Sequence, residues 1–228
     1  MGKVIGEFVA TYLMMALGLG ANVVVSDLDK RFRNQLVVGI YWSISILIAS
    51  LVGSYFWGTS DLSPLFSFAQ AVNHQITWLI MAGEIISQII STWLASETVY
   101  RMWSRWFRKI PLKLEFFSTV PRNPHRNWYN FFWELCGTAI IVISSLISNQ
   151  LPLAWWVKII WSSILMLIVI TAASPITGAA LNPIRDLVPR EYFSDVTDPK
   201  RAQWNYAIVP LFGPISGCLL VLALAKIV

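Results

Sequence analysis

Six long apolar stretches, almost free of charge, constrain this chain of 228 residues more than any other feature. About 20 apolar residues suffice to span a bilayer, so each stretch predicts one transmembrane helix. Only 13% of the residues are charged, against roughly a quarter in a soluble domain. The sequence therefore predicts an all-α membrane protein whose first span is retained rather than cleaved. The stretches are Val4 to Val25, Leu36 to Trp57, Trp78 to Ser96, Phe131 to Ser148, Ala154 to Ala173 and Tyr206 to Ala225.

Two further segments are apolar enough to enter a membrane and too short to cross it. They cover residues 58–69 and 177–186, after the second and fifth spans. Each places a small polar residue before a proline, Ser63 before Pro64 and Asn182 before Pro183. That order suits a helix with Ser or Asn as its N-cap and Pro at its first position. We expect two re-entrant half-helices.

The chain reads as a tandem repeat. Glu7 and Glu134 each lie in the first span of a three-span group, and each half-helix follows the second span of its group. Because three spans are an odd number, the second copy must enter the membrane with the opposite orientation. We predict a single domain over residues 1–228, with repeat one at 1–103, a connecting basic loop at 104–127 and repeat two at 128–228.

Sites for catalysis or cofactors are not indicated by the sequence. Cys136 and Cys218 both lie in predicted spans, and His74 and His125 have no partners at the spacing of a metal or nucleophile site. We find no glycine-rich phosphate loop. The basic residues stand beside Trp and Tyr in loops, which favours membrane lipids over nucleic acid as their partner. We expect no catalytic residue, no metal and no cofactor.

The segment from Asn182 to Arg185, Asn-Pro-Ile-Arg, resembles the second Asn-Pro-Ala box of the aquaporin (major intrinsic protein) family, with its trailing arginine. Asp186 after that arginine, and Pro210-Leu211 in the last span, are similar to the glycerol-permeable branch. The first box departs from the pattern, since it reads Ser63-Pro64-Leu65, and Asp61 replaces the usual histidine. The resemblance implies a passive channel for glycerol and water, assembled as a homotetramer in a bacterial plasma membrane.

The resemblance also implies roles for individual residues. A pore constriction is expected at the half-helix tips, and a selectivity filter nearer one mouth. Glu7 and Glu134 are expected to accept backbone N–H bonds of the re-entrant loops, and Asp186 to pair with Arg190 or to cap its half-helix. The constriction would comprise Ser63, Pro64, Asn182 and Pro183, and the filter Arg185, Ala179, Ile170 and either Trp42 or Ser43.

The choice between Trp42 and Ser43 stays open at this stage. Counting back from Ser63 by the family's spacing favours Ser43, whereas the pattern Tyr41-Trp42-Ser43 favours Trp42. Glu84 is a third acid inside a span, where the family more often has Gln, and it is either protonated or paired.

Other functions compete with the glycerol channel. The same fold could pass undissociated lactic acid, dihydroxyacetone or water alone. Leu65 and Phe66 beside the constriction would be the mark of a closed pore, and so of a non-conducting scaffold. Proton-coupled transport through Glu7 and Glu134 is a further alternative, because intramembrane acids often mark a functional site.

The placement of charge opposes the orientation that the resemblance implies. Apart from Arg185, which the resemblance places in the pore, 13 of the 17 basic residues lie in loops near residues 26–34, 97–130 and 185–205, which would face outward. The positive-inside rule places such loops in the cytoplasm. Three explanations stay open: the longest loop exceeds the length that the rule covers, the basic loops bind acidic lipids or attract anionic solutes, or the chain inserts inverted. The aromatic residues of the 101–126 segment are typical of an interfacial stretch; they are Trp103, Trp106, Phe107, Phe116 and Phe117.

Overall fold

The computed structural model describes residues 1–27 and 34–226, apart from the side chain of Asp27. Within these ranges the chain forms helices and no β-strand, which confirms the all-α prediction. Two short 3-10 turns occur at Leu114–Phe116 and Pro199–Ala202. The helices are α1 Gly2–Asp27, α2 Gln35–Trp57, α3 Pro64–Val72, α4 Trp78–Met102, α5 Ser104–Phe107, α6 Asn127–Gln150, α7 Trp155–Thr177, α8 Pro183–Val196 and α9 Trp204–Ala225.

Six of these helices, α1, α2, α4, α6, α7 and α9, are long and apolar enough to cross a membrane. They contain the six predicted stretches, so the chain is a multi-pass membrane protein as expected. Large apolar side chains such as Leu79 and Ile168 point outward from them, with 84% and 60% of their surface exposed. In water such exposure would be costly, whereas a lipid tail is as apolar as these side chains.

The two halves of the chain repeat one pattern of neighbours. In the first half α1 packs against α2 and α4, and in the second half α6 packs against α7 and α9. The halves join where α2 meets α7. The short helix α3 contacts both α4 and α9, and α8 does the same. Each half-helix therefore lies between one span of its own repeat and one of the other.

The segment between α4 and α6 is packed against the protein. Phe116 and Phe117 are almost fully buried, at 1% and 0% exposure, so the expectation that they lie in the membrane interface is wrong. Arg201 donates to the backbone O of Leu112, and Arg190 to that of Thr119, which brings two of the basic loops together at one end of the bundle. The basic loop between α1 and α2 lies mainly outside the described residues.

Glycines allow α6 and α9 to approach each other closely. A Cβ atom at Gly217 would overlap the backbone O of Leu135, and one at Gly213 would lie 2.6 Å from the Cβ of Glu134. Small residues at such contacts let helix backbones pack tightly where no hydrophobic effect drives association. By contrast, a Cβ at Gly20 would meet no atom within 4 Å.

We predict that Gly217→Ala lowers stability by about 1–3 kcal/mol, because α6 and α9 must move apart to admit the methyl group. Gly20→Ala is the matched control, and it should be neutral or stabilising by about 0.5–1 kcal/mol. Thermal unfolding of the two variants in detergent measures both effects. Equal stabilities for the two variants would show that the α6–α9 contact is not tight.

Candidate functional site

The two half-helices begin with the predicted caps, and their N-termini meet. The Oγ atom of Ser63 accepts from the backbone N of Leu65 at 3.4 Å. At the second tip, Oδ1 of Asn182 accepts from the backbone N atoms of Ile184 and Arg185 at 3.0 and 3.3 Å. Pro64 and Pro183 occupy the first helical positions. Nδ2 of Asn182 donates to the backbone O of Leu62 at 2.8 Å, so one hydrogen bond links tip to tip.

A buried glutamate holds each re-entrant loop by its backbone. Leu62 and Leu181, the residues before the caps, adopt left-handed conformations with φ of 57° and 55°. The N–H of Leu62 donates to Glu7 at 2.9 Å, and that of Leu181 to Glu134 at 2.7 Å. Neither glutamate exposes any surface. These carboxylates supply the acceptors that lipid cannot offer to an irregular backbone.

One cavity of about 1310 Å³ runs past both half-helix tips. Lys113 and Glu115 line it at one end, and Gln75 and Lys158 at the other. The predicted residues that line it are Ser63, Asn182, Arg185, Ala179, Ile170 and Trp42. Pro64 and Pro183 do not line the cavity. They are the first residues of the two half-helices.

Trp42 faces this cavity, whereas Ser43 is buried at 6% exposure and does not line it. Counting back from Ser63 by the family's spacing therefore pointed one residue too far. Residues 58–62 join α2 to its cap, but only residues 178–181 join α7 to its cap. The first loop holds one residue more than the second, so the two repeats differ in length just before their caps.

Arg185 and Trp42 form a cation–π pair in the wall of the cavity. The guanidinium carbon of Arg185 lies 4.2 Å from the centroid of the Trp42 ring. Nη1 of Arg185 donates to the backbone O of Phe117 at 3.4 Å, and the residue is 7% exposed. A buried cation in a membrane needs an aromatic face, an acceptor or an aqueous cavity, and Arg185 has the first two and lines the cavity.

Residues that the sequence did not indicate complete this part of the site. Nε1 of Trp42 donates to Oδ1 of Asn22 at 3.0 Å, and a Cβ atom at Gly18 would lie 2.5 Å from the Trp42 ring. Phe117 takes part through its backbone O, which no side-chain pattern reveals. The spacing of four between Gly18 and Asn22 puts them on one face of α1, but this spacing is common in helices.

Asp186 fastens α8 to the connecting segment. It forms a buried ion pair with Arg190, with an N···O distance of 2.8 Å, and its Oδ2 accepts from the backbone N of Thr119 at 2.8 Å. Arg190 also donates to the backbone O atoms of Ala202 and Thr119. Since both charges are paired and hydrogen-bonded, the contacts of Asp186 are structural.

Asp61 and Glu84, which the sequence analysis singled out, lie together near the N-terminus of α3. Oδ1 of Asp61 accepts from Gln70, while Oδ2 of Asp61 and both carboxyl oxygens of Glu84 find no partner in the described part of the chain. Glu84 is fully buried, and its neighbours include Asp61 and Glu7. At the corresponding place in the second loop stands Ala180, so the two repeats differ here in charge.

The side chain of Leu65 points away from the cavity. It packs in a cluster with Val142, Cys218 and Val221, while Phe66 lines the cavity. Leu65 therefore does not obstruct the passage, which removes half of the sequence argument for a closed pore.

Comparison with known proteins agrees with this geometry. The model of the family described as Major intrinsic protein matches residues 1–224. The chain belongs to this family. Its relatives in the major intrinsic protein family include glycerol uptake facilitator protein 3 of Lactiplantibacillus plantarum, 25% identical over 94% of this chain and 92% of the relative. The glycerol uptake facilitator protein of Bacillus subtilis is 27% identical over 93% and 79%. The aquaglyceroporin from Plasmodium falciparum has the same fold, with a TM-score of 0.85, 21% identity and coverage of 97% and 93%.

We predict opposite effects for one substitution at two buried glutamates. Glu134→Gln should destabilise by about 1–3 kcal/mol, because Ala180 and Leu181 donate to different carboxylate oxygens and an amide NH₂ then faces one of their N–H groups. Glu84→Gln should be neutral or stabilising by about 1–3 kcal/mol, because it removes a buried group with no partner and can donate to Asp61. Thermal unfolding in detergent compares them. Destabilisation by Glu84→Gln would mean that Glu84 has a partner that it needs.

Proposed function

We propose that this protein is a passive channel for small uncharged solutes, glycerol with water above all, in a bacterial plasma membrane. The observation that carries the proposal is the cavity, which passes Arg185, Trp42 and both half-helix caps between its two polar ends. The relatives named glycerol uptake facilitators support the choice of solute. We further infer a homotetramer with one pore in each protomer, as the family resemblance implies.

The filter suits a polyol because one wall donates hydrogen bonds and the other is apolar. Arg185 carries five N–H donors, of which one is directed at Phe117. The remaining donors are available to solute hydroxyl groups. Ile170 and Trp42 present carbon to the same cavity, where the CH groups of a polyol would lie. The small side chain of Ala179 leaves this passage wider than water alone requires.

At the midplane the two helix N-termini create a positive field. Their aligned peptide dipoles point at the cavity from both sides. Cations and protons are repelled there, as in aquaporin-type pores generally. Asn182 uses one amide hydrogen on Leu62 and keeps the other for a solute, while the Ser63 hydroxyl contributes one donor. The midplane thus offers fewer donors than two asparagines would.

The proposal is tested by stopped-flow light scattering of proteoliposomes under gradients of water, glycerol and lactic acid. Rapid re-swelling in glycerol is the expected result. Shrinkage without re-swelling would indicate a water channel, and passage of lactic acid or dihydroxyacetone in preference to glycerol would change the solute. Permeabilities no higher than those of empty vesicles would leave a non-conducting scaffold.

We predict that Arg185→Ala alters solute selectivity and leaves the protein folded. Loss of the guanidinium removes the hydrogen-bond donors and the positive charge from the wall, so the ratio of glycerol to water permeability should change and methylammonium should begin to enter. Arg105→Ala, at an exposed position on α5, is the matched control. An Arg185→Ala channel with the original solute profile would contradict the filter role.

A further inference from the structure

Asn22 connects two separate elements at the filter. Its Oδ1 atom accepts from Nε1 of Trp42 on α2 at 3.0 Å. Its Nδ2 atom donates to the backbone O atoms of Phe116 at 3.3 Å and Glu115 at 3.5 Å, in the segment between α4 and α6. Asn22 also lines the cavity. One side-chain amide therefore bridges α2 and the segment between α4 and α6 beside the cavity.

Arg185 connects the same two elements from the other repeat. It stacks on Trp42 at 4.2 Å and donates to the backbone O of Phe117 at 3.4 Å. Phe116 and Phe117 are adjacent in the chain, so the contacts close into a ring: Asn22, Trp42, Arg185 and the 116–117 backbone. We call this set the filter ring. Each member is bonded to its two neighbours, so losing one contact opens the ring.

The indole of Trp42 is held at both ends by one face of α1. Its N–H reaches Asn22, and its six-membered ring lies against Gly18, where a Cβ atom would come within 2.5–2.7 Å of three ring carbons. Gly18 and Asn22 are one helical turn apart. The glycine supplies room, and the asparagine supplies the hydrogen bond that sets the ring's rotation about its side-chain bonds. Without that bond, packing alone would hold the indole beside Arg185.

We propose that Asn22 is a positioning residue for the filter. By fixing the Trp42 ring, Asn22 sets the size of the largest solute that passes. The inference rests on the proposed function, since it concerns the solute that passes Arg185. The solutes considered are straight-chain polyols, and the filter would distinguish glycerol, with three carbons, from erythritol, with four. If the Trp42 ring is free to tilt, the passage widens. Permeability to erythritol then rises more than permeability to glycerol, because glycerol already fits.

The transport test uses Asn22→Ala in proteoliposomes, with glycerol and erythritol as probes. We expect the ratio of erythritol to glycerol permeability to rise about fivefold, the factor that corresponds to one lost hydrogen bond. In a Trp42→Phe background Asn22→Ala should cause no further rise of the ratio, because Phe has no N–H for Asn22 to accept from. This non-additivity would show that Asn22 acts through Trp42. Asn34→Ala, which removes an exposed cap of α2, should leave the ratio unchanged.

A second measurement does not depend on transport. The indole N–H signals of the ¹⁵N-labelled protein in detergent include that of Trp42, which its absence from Trp42→Phe identifies. In Asn22→Ala this signal should shift and its hydrogen exchange should accelerate, while in Asn34→Ala it should stay in place.

The outcomes separate the inference from the function that it rests on. If the wild-type protein passes no glycerol, the proposed function fails, and an unshifted Trp42 signal would then overturn the positioning role as well. If glycerol passes and Asn22→Ala leaves both the permeability ratio and the signal unchanged, the inference alone is wrong. Equal rises of the ratio in the wild-type and Trp42→Phe backgrounds would also overturn it, because Asn22 would then act without Trp42.

Discussion

The architecture depends on satisfying backbone N–H groups at two places where the chain is neither helix nor strand inside a membrane. At each re-entrant loop a left-handed leucine turns its N–H toward a buried glutamate, Leu62 toward Glu7 and Leu181 toward Glu134. Lipid offers these groups no acceptor, so each unpaired group would cost several kcal/mol, in the range of about 4–8 for transfer to a hydrocarbon. Because the bonds are made, the half-helices can start near the midplane with their N-termini facing one another.

That arrangement is symmetric in backbone and asymmetric in side chains. The second tip has Asn182, whose amide reaches across to Leu62, while the first has Ser63, too short to return an equivalent bond. The first loop also carries Asp61 beside the fully buried Glu84, where the second has Ala180. Asp61 and Glu84 thus add acid around the first half-helix, whereas the second carries Arg185 and the Asp186–Arg190 ion pair. The inverted repeat provides two equal supports, and substitutions have made them chemically different.

Most of the fold was predictable because its causes are local. Apolar stretches of bilayer length mark the spans, and Ser63-Pro64 and Asn182-Pro183 mark the half-helices, since caps act within one turn. The acids Glu7 and Glu134 were placed by resemblance, and the structure gives each the backbone partners expected. The filter was harder. Trp42 and Ser43 could not be separated because the length of the loop before Ser63 shifts every count made from it, and that length is fixed by where α2 ends.

The roles of Asn22 and of the backbone of Phe116 and Phe117 could not be predicted from the sequence, for a different reason. Their roles arise from contacts between residues about 95 positions apart, and a backbone carbonyl leaves no trace in residue type. The connecting segment was expected to lie on the membrane, but it forms a wall of the cavity. Thr119 and Ser118 bond to Asp186, and Arg190 donates to the backbone O of Thr119. Described residues of the first repeat offer no such segment to the opposite mouth. The Arg185–Trp42 pair therefore lies at the end of the cavity where the connecting segment packs against α8.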